Sequence, residues 1–459
     1  MSTPLEPDAQ QRAELNEQAD RFLEEWYSRV ETMNASGEPL TDRQISDLME
    51  PPREQGRDFA RILDDLDLAG QAGILHPSSG HMSYIPNGGL YTGAIAEQLA
   101  AGLNRYTGVA GAAPGMTAIE TGVTQWVAGL FGMGESAAAI LLSGGSTANL
   151  TGIVAARVNR LGDHFDDGVI YLTAHTHHSV AKAARIAGFR NDQIRIVPVD
   201  ADLRMRVDVM EEMVTQDTES GLRPFLVVAS AGTTDTGTVD DLEAIGAVAK
   251  RHELWMHTDA AYGGFFVLTE RGRKALAGIG ESDSVAVDPH KGLSIPFGVG
   301  ALVVRDQNYL LDANYGRGAY LNHEEVTQGL RDISSLGPEL SRPFRGLSVW
   351  LPLQLHGVAP FRKALDDALD VAEHGYERVR QLDGIRANWK PDLSIVAFGF
   401  EDDTVGREAM RRVNEDRVTH ISSTEVEGRF ILRLAVLNRR TTIEDVDHAI
   451  DMIQKALIG

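Results

Sequence analysis

The sequence contains no cysteine, which excludes disulfide bonds, thiolate catalysis and cysteine-based zinc sites. Positive charge is also scarce: the formal net charge of −23 argues against a nucleic-acid surface, which needs clustered lysine and arginine. No run reaches the roughly 18 apolar residues of a membrane span, and the acidic amino terminus has no signal-peptide core. These absences predict a cytoplasmic protein with neither nucleic acid nor membrane as partner.

Lysine itself is rare, because only seven of the 43 lysine and arginine residues are lysines. Charged or polar surroundings identify ordinary surface residues at Lys250, Lys274, Lys363, Lys390 and Lys455. Lys182 falls on a predicted helix. Lys291, in SVAVDPHKGLSIP, instead follows an apolar run directly. Burial favours a neutral amine that can attack a carbonyl, whereas a structural salt bridge is the alternative interpretation.

The pattern of apolar runs predicts three regions: an N-terminal helical segment (1–75), whose apolar stripe must pack on its own body or on a partner subunit, a large domain (76–350) and a small α+β domain (351–459). Short valine- and isoleucine-rich runs alternate with helical stretches, which is typical of an α/β fold with a mainly parallel sheet. Those runs are AAAILLSGG, GVIYLTAH, IRIVPVD, PFLVVASAG, LWMHTDAAYGG, SVAVDPHKG and GVGALVVRD. The last follows too closely for a crossover helix and could run antiparallel.

Two of these strand ends carry candidate ligand groups. Asp259 ends an apolar strand, where a buried carboxylate needs a cation or several hydrogen bonds; a helix cap is the alternative. In LLSGGSTANL, two glycines precede a helix whose N-terminus can bind a phosphate. This turn is not a Walker A loop, because no Gly-Lys-Ser/Thr follows.

A third strand end has three histidines, His175, His177 and His178, in TAHTHHSV. A metal site would need further ligands at suitable spacing, and none stands out in the sequence. An imidazole stacked on a planar cofactor ring is the favoured interpretation. In SAGTTDTGTVDDL, Thr233, Thr234 and Asp235 end a further strand and offer donors and acceptors to a polar ring edge.

The order of these motifs resembles the fold-type I pyridoxal phosphate (PLP) enzymes, and among them the group II amino-acid decarboxylases, including the aromatic amino-acid decarboxylases. DPHKG resembles the Asn/Asp-Pro-His-Lys signature, and HTDAAYGG resembles His-Val-Asp-Ala-Ala-Tyr-Ala/Gly-Gly. HHSV resembles His-Ser-Ser-Val, and LSRPFRGLSVWLPLQLHG resembles an arginine-rich stretch of the family. The resemblance implies a PLP-dependent transferase-like fold with a seven-stranded, mainly parallel sheet flanked by helices.

The resemblance also implies a role for each matching residue. Lys291 would bind PLP covalently, Asp259 would pair with its ring nitrogen, and His177 would stack on the ring. The other implied cofactor-binding residues are Gly145, Ser146 and His290 at the phosphate, Thr234 near the polar ring edge, and Asp288 and Ala261 lining the site. The family is an obligate homodimer with active sites near the interface. The resemblance therefore implies that residues 1–75, with the amphipathic helix predicted over residues 9–33, are a dimerisation segment and that residues 76–350 are the PLP-binding domain. No metal is expected.

Two segments depart from the family. The loop that carries a proton-donating tyrosine in the family corresponds to residues 323–344, which contain no tyrosine; Tyr315 and Tyr320 precede it. The substrate segment HPSSGHMSYIPNGGLY has small and polar residues, with His81 and Tyr84 as candidate substrate contacts, and does not imply an aromatic substrate.

The sequence therefore predicts a PLP-dependent decarboxylase of an L-amino acid or an amino-acid conjugate. The missing loop tyrosine leaves two alternative outcomes with the same cofactor, namely oxidative deamination to an aldehyde and β-elimination. A non-catalytic PLP-binding protein or a histidine-based metal protein is the alternative from another class.

Overall fold

The computed structural model describes residues 5–314, 326–327 and 329–458. Within them the helices are α1 Ala9–Val30, α2 Asp42–Leu48, α3 Phe59–Gly70, α4 Tyr91–Leu103, α5 Pro114–Gly129, α6 Gly145–Leu161, α7 His178–Ile186, α8 Val207–Glu219, α9 Leu242–Arg251, α10 Glu270–Ala275, α11 Pro289–Gly292, α12 Gln307–Ala313, α13 Arg345–His356, α14 Ala359–Val379, α15 Asp403–Asp416 and α16 Ile443–Ile458.

The β-strands fall into three sheets. They are β1 His81–Met82, β2 Ala138–Leu142, β3 Gly168–Thr173, β4 Ile194–Val197, β5 Arg223–Ser230, β6 Trp255–Asp259, β7 Ser284–Val287, β8 Gly300–Val304, β9 Val326–Thr327, β10 Leu330–Arg331, β11 Ile385–Arg386, β12 Ile395–Phe400, β13 His420–Val426 and β14 Arg429–Ala435.

The central sheet has seven strands in the order β2-β8-β7-β6-β5-β3-β4. Its neighbours pair in parallel except at β8, which runs antiparallel to both β2 and β7. The predicted mainly parallel seven-stranded sheet is confirmed, and the run GVGALVVRD supplies its antiparallel strand. Connecting helices lie between successive parallel strands, as such crossovers require.

Burial on both faces explains why the strands read as continuous apolar runs. Every residue of β3, β6, β7 and β8 is buried, including the large side chains of Trp255 and Tyr171. Each fully buried aliphatic or aromatic side chain contributes about 1.5–3 kcal/mol to folding. The sheet is therefore a rigid platform, and the polar residues that follow its strands have fixed starting points.

The C-terminal sheet has the order β1-β13-β14-β12-β11, so a strand from residues 81–82 completes a sheet otherwise built after residue 384. Helix α13, Arg345–His356, runs across the boundary expected at residue 350. The division into 1–75, 76–350 and 351–459 stays a prediction. In the N-terminal segment, an Asp8 capping box starts α1, and Val30 is the buried residue of that helix.

Candidate active site

A cavity of about 270 Å³ lies at the carboxyl ends of β2, β3, β5, β6 and β7, which is where parallel sheets bind ligands. It brings together every residue predicted to bind the cofactor. These are Gly145, Ser146, His177, Thr234, Asp259, Ala261, Asp288, His290 and Lys291. Among the described residues that line the cavity, Lys291 is the only lysine or arginine.

Lys291 lies in the short helix α11, directly after β7. Its Nζ is 2.9 Å from Oδ2 of Asp288, whose side chain is 1% exposed. The neighbouring His290 donates a hydrogen bond from Nδ1 to the carbonyl of Val299 at 2.7 Å, and burial lowers its pKa. An amine and a neutral imidazole thus project from one turn into the same cavity.

The glycine turn before α6 forms another part of the cavity wall, next to Asp288 and His290. A Cβ at Gly145 would lie 2.9 Å from Cβ of Ala261 and 3.0 Å from Oδ2 of Asp288, so a larger residue would fill this space. The 17-residue helix α6 begins here, and its first N–H groups have no partner within the helix. The turn has the form of an anion site, because these N–H groups and the helix dipole both favour negative charge.

Asp259 and His177 are joined through two residues that the sequence analysis missed. Asp259 Oδ2 accepts a hydrogen bond from Asn149 Nδ2 at 2.9 Å, and its Oδ1 accepts one from the N–H of Ala261 at 3.2 Å. Asn149 Nδ2 also donates to Ser179 Oγ at 3.0 Å, and that oxygen lies 2.7 Å from Nδ1 of His177. Burial lowers the pKa of His177, although the charge of Asp259 opposes this effect.

The threonine-containing turn after β5 is stabilised by hydrogen bonds from a residue of the C-terminal sheet. Arg433, a buried residue of β14, donates to the carbonyls of Thr234 at 2.6 Å and Asp235 at 2.8 Å. Burial raises the pKa of Asp235, but the nearby His175, 3.9 Å away, a hydrogen bond from Thr424 and the charge of Arg433 reverse this and leave it lowered.

The two candidate substrate residues lie outside the cavity lining. His81 is buried, its ring centroid is 4.7 Å from that of His76, and burial lowers its pKa to about 3. Tyr84 is 53% exposed and stacks on His76 with centroids 6.0 Å apart. Phe297, 57% exposed, contacts His76 at 5.7 Å and His290 at 6.0 Å, which connects these rings to the cavity. We call His76, His81, Tyr84 and Phe297 the ring cluster.

Sequence analysis also missed further cavity residues. They are Ser143, Gly144, Thr147, Asn149, Ser179, Ser230, Gly232 and Tyr262, whereas Thr233, singled out in the sequence, does line the cavity. Asn149 and Thr147 lie within the quoted LLSGGSTANL, and Ser179 lies within HHSV, so a search for partners of the buried Asp259 would have found candidates there. The segment 323–344, predicted to be a loop without the family's tyrosine, lies partly outside the described residues. Tyr315 and Tyr320 lie outside them as well.

Neither a membrane helix nor a metal cluster emerges from the described residues. No described helix is long and apolar enough to cross a membrane. The described histidine, aspartate and glutamate side chains form no group of three or more that could hold a metal ion.

Comparison with known proteins identifies the family. Residues 43–401 match the pyridoxal-dependent decarboxylase conserved domain. Aromatic-L-amino-acid decarboxylase of Bacillus atrophaeus is 31% identical over 463 residues, covering 97% of this chain and 95% of the relative. The structure of Oryza sativa TDC with PLP and tryptamine superposes with a TM-score of 0.92 at 25% identity, covering 100% of this chain and 99% of the other. Catharanthus roseus tryptophan decarboxylase in complex with L-tryptophan gives 0.90 at 25%, covering 99% of each chain.

The chain belongs to the pyridoxal-dependent decarboxylase family, and the group II resemblance is confirmed. It is a PLP-dependent carboxy-lyase of amino-acid metabolism, and the comparisons do not favour oxidative deamination or β-elimination. The cavity fits PLP, because it offers an amine, a carboxylate and an anion-binding turn. Within the described residues, Ser230 Oγ is also buried there without a hydrogen-bond partner.

Proposed function

We propose that this enzyme decarboxylates an aromatic L-amino acid, with the cofactor held between the Gly145 turn and Lys291. The observation that carries the proposal is the single cavity that joins all the predicted cofactor residues. PLP, when bound, supplies an electron sink for the charge left as CO₂ departs. The other tasks are carried out by residues of the protein itself.

Each of these residues has one task in the proposal. Lys291 would hold the cofactor through its side-chain amine and would release it to the substrate amine. Asp259 keeps the ring nitrogen protonated, because its carboxylate is held in place by the amide of Asn149. His177 would cover one face of the ring, and the glycine turn with Ser146 and His290 would bind the phosphate.

Among the described cavity residues, the lack of a cation that could pair with an acidic substrate side chain supports the aromatic substrate class. Lys291 is the only lysine or arginine among the described cavity residues, and it is committed to the cofactor. The ring cluster next to His290 offers apolar faces instead, and the low pKa of His81 keeps that ring neutral near pH 7. The names of the relatives, aromatic-L-amino-acid and tryptophan decarboxylase, agree with this class.

A substrate panel tests the proposal. L-Tryptophan, L-tyrosine, L-phenylalanine, L-histidine and L-glutamate are supplied with PLP while CO₂ and O₂ are measured, with the D-enantiomers as controls. We expect CO₂ from at least one aromatic L-amino acid without O₂ uptake. CO₂ from L-glutamate alone would overturn the substrate class, and O₂ uptake matching the CO₂ would overturn simple decarboxylation.

We also propose a cytoplasmic homodimer with active sites near the interface. The apolar stripe of α1 supports the dimer, because Phe22, Leu23 and Trp26 are only half-buried and Leu15 is exposed within one chain. The cysteine-free sequence is compatible with a reducing compartment. Light scattering should give about twice the chain mass of 49.9 kDa. A fully active monomer would contradict the dimer.

A further inference from the structure

A chain of buried hydrogen bonds runs from Asn149 in the cavity wall back to residues that do not line the cavity. His257 on β6 and Ser284 on β7 are both 0% exposed. Ser284 Oγ accepts a hydrogen bond from Trp255 Nε1 at 2.8 Å and lies 2.7 Å from Nδ1 of His257. The other ring nitrogen of His257, Nε2, is 2.9 Å from Asn149 Oδ1.

The carboxylate of Asp259, at which this chain of hydrogen bonds ends, determines which group donates in every bond. Asp259 accepts hydrogen bonds when ionised, so the Asn149 group facing it must be the NH₂. The oxygen of Asn149 therefore faces His257, whose Nε2 must donate. Burial lowers the pKa of His257 to about 4, so the ring is neutral, and its Nδ1 accepts from the Ser284 hydroxyl.

A second branch reaches the histidine that faces the cofactor. Ser179 Oγ accepts from the Asn149 amide, so its own hydrogen is free to bond Nδ1 of His177. The backbone N–H of Ser179 also donates to that nitrogen at 3.3 Å, so Nδ1 carries no proton. The neutral ring of His177 is therefore protonated at Nε2.

A glycine in helix α6 leaves space for this chain of hydrogen bonds. A Cβ at Gly152 would lie 2.8 Å from Cε1 and 3.0 Å from Nδ1 of His257, so a larger residue would displace the imidazole. Gly152 and Asn149 lie three residues apart and share one face of the helix. One residue admits the ring and the other hydrogen-bonds it.

We propose that His257 and Ser284 are positioning residues, which orient the Asn149 amide and thereby fix both Asp259 and the protonation of His177. The inference rests on the proposed roles of Asp259 and His177 at the cofactor. If Asn149 turned over, its oxygen would face the carboxylate, and the two acceptors would repel each other. Ser284 opposes that reversal, because its hydroxyl keeps the proton of His257 on the nitrogen that faces Asn149.

A matched pair of serine variants tests this chain of hydrogen bonds. Ser284→Ala removes the donor to His257, whereas Ser282→Ala removes an equally buried hydroxyl, 2.7 Å from Thr258 Oγ1, that takes no part in it. The measurements are the PLP dissociation constant of each apoenzyme, the ¹⁵N chemical shift of PLP labelled at the ring nitrogen in each holoenzyme, kcat and KM. Thermal unfolding of both variants checks that their stabilities match.

We expect Ser284→Ala to weaken PLP binding about tenfold, the effect of one buried hydrogen bond. At saturating PLP, kcat should fall about tenfold with KM within about twofold, and the ¹⁵N resonance should move toward that of unprotonated pyridine. Ser282→Ala should stay within about twofold of wild type in each measurement. Equal behaviour of the two variants would overturn the inference.

A second pair covers the case in which one serine variant folds poorly. His257→Gln can still donate to Asn149, whereas His257→Leu cannot. We expect the glutamine variant to keep the wild-type ¹⁵N shift and the leucine variant to lose it, and equal shifts would overturn the inference. A wild-type enzyme that binds no PLP would instead refute the proposed function, so the two failures are distinguishable.

Discussion

The cavity wall and the ring cluster at its edge are built in opposite ways. At the wall, Asp259 and Asp288 are buried and held by neighbouring side chains at 2.9 Å, and each follows or ends a strand of the rigid sheet. At the ring cluster, Tyr84 and Phe297 are more than half exposed, and their rings contact neighbouring rings at centroid distances near 6 Å.

The difference separates the two tasks of the proposed enzyme. PLP has a fixed shape and charge, so buried polar residues can be placed for it in advance. A substrate side chain must enter and leave, which suits exposed apolar faces with few directed hydrogen bonds. We therefore expect changes at the wall to act on cofactor binding and chemistry, and changes at the ring cluster to act on KM.

The largest effect is expected from Lys291→Ala. Removing the amine abolishes covalent cofactor binding, and kcat/KM should fall at least about a thousandfold. The absorbance of the purified protein should lose the band of covalently bound PLP. Lys250→Ala, an exposed lysine of α9, is the control and should keep both the band and the activity. A Lys291→Ala protein that retains both would refute the assignment.

Arg433→Met tests the support of the wall from the C-terminal sheet. Methionine replaces the apolar stem of the arginine side chain but leaves the carbonyls of Thr234 and Asp235 without their donor. The threonine turn should loosen, and the PLP dissociation constant should rise about tenfold. Arg429→Met is the control: Arg429 lies on the same strand but pairs with Asp403, away from the cavity. Equal affinities in the two variants would contradict the role of Arg433.

The sequence predicted the residues of the cavity wall well because these residues lie at, or just after, the ends of strands. Seven apolar runs became the seven strands, and Lys291, Asp259 and Thr234 followed from where those runs stop. Asn149 and Arg433 were missed because their partners are distant: Asn149 contacts Asp259 110 residues later, and Arg433 contacts Thr234 199 residues earlier. Nothing local in a helix or an apolar strand indicates such a contact.

The ring cluster was harder to predict for a related reason. His81 and Tyr84 were singled out together, yet they differ in surroundings, since His81 lies in a strand of the C-terminal sheet and Tyr84 is exposed beyond it. Phe297, which links the cluster to His290, lies more than 200 residues after His76, His81 and Tyr84 in the sequence. Spacing within one segment cannot show that two distant segments meet.

His81→Gln tests the one deeply buried member of the ring cluster through acid stability. The pKa of His81 is about 3 in the folded protein, mainly because of burial, against an ordinary value of 6.5. Below pH 6.5 the unfolded chain therefore takes up a proton that the folded chain does not, and stability falls as the pH drops toward 3. Between pH 7 and 5 the loss is at most about 2 kcal/mol.

Urea unfolding at both pH values, at one protein concentration, gives the measurement. His81→Gln should lose less stability than wild type over this interval, and His164→Gln, at an exposed position, should behave as wild type. Parallel curves for His81→Gln and wild type would show that His81 is accessible to protons in the folded state. The ring cluster would then be open throughout.

The smallest effect is expected from Phe297→Ala. Its ring is 57% exposed and contacts His76 and His290 only at their ring faces and edges, so its loss should leave the fold and the wall intact. We expect KM for an aromatic L-amino acid to rise about threefold to tenfold, since aromatic contacts contribute about 0.5–1.5 kcal/mol, with PLP affinity unchanged. Ile196→Ala, an exposed residue of the edge strand β4, is the control. A weaker PLP affinity with unchanged KM would show that Phe297 acts on cofactor binding through His290. Phe297 would then belong with the residues of the cavity wall rather than with the ring cluster.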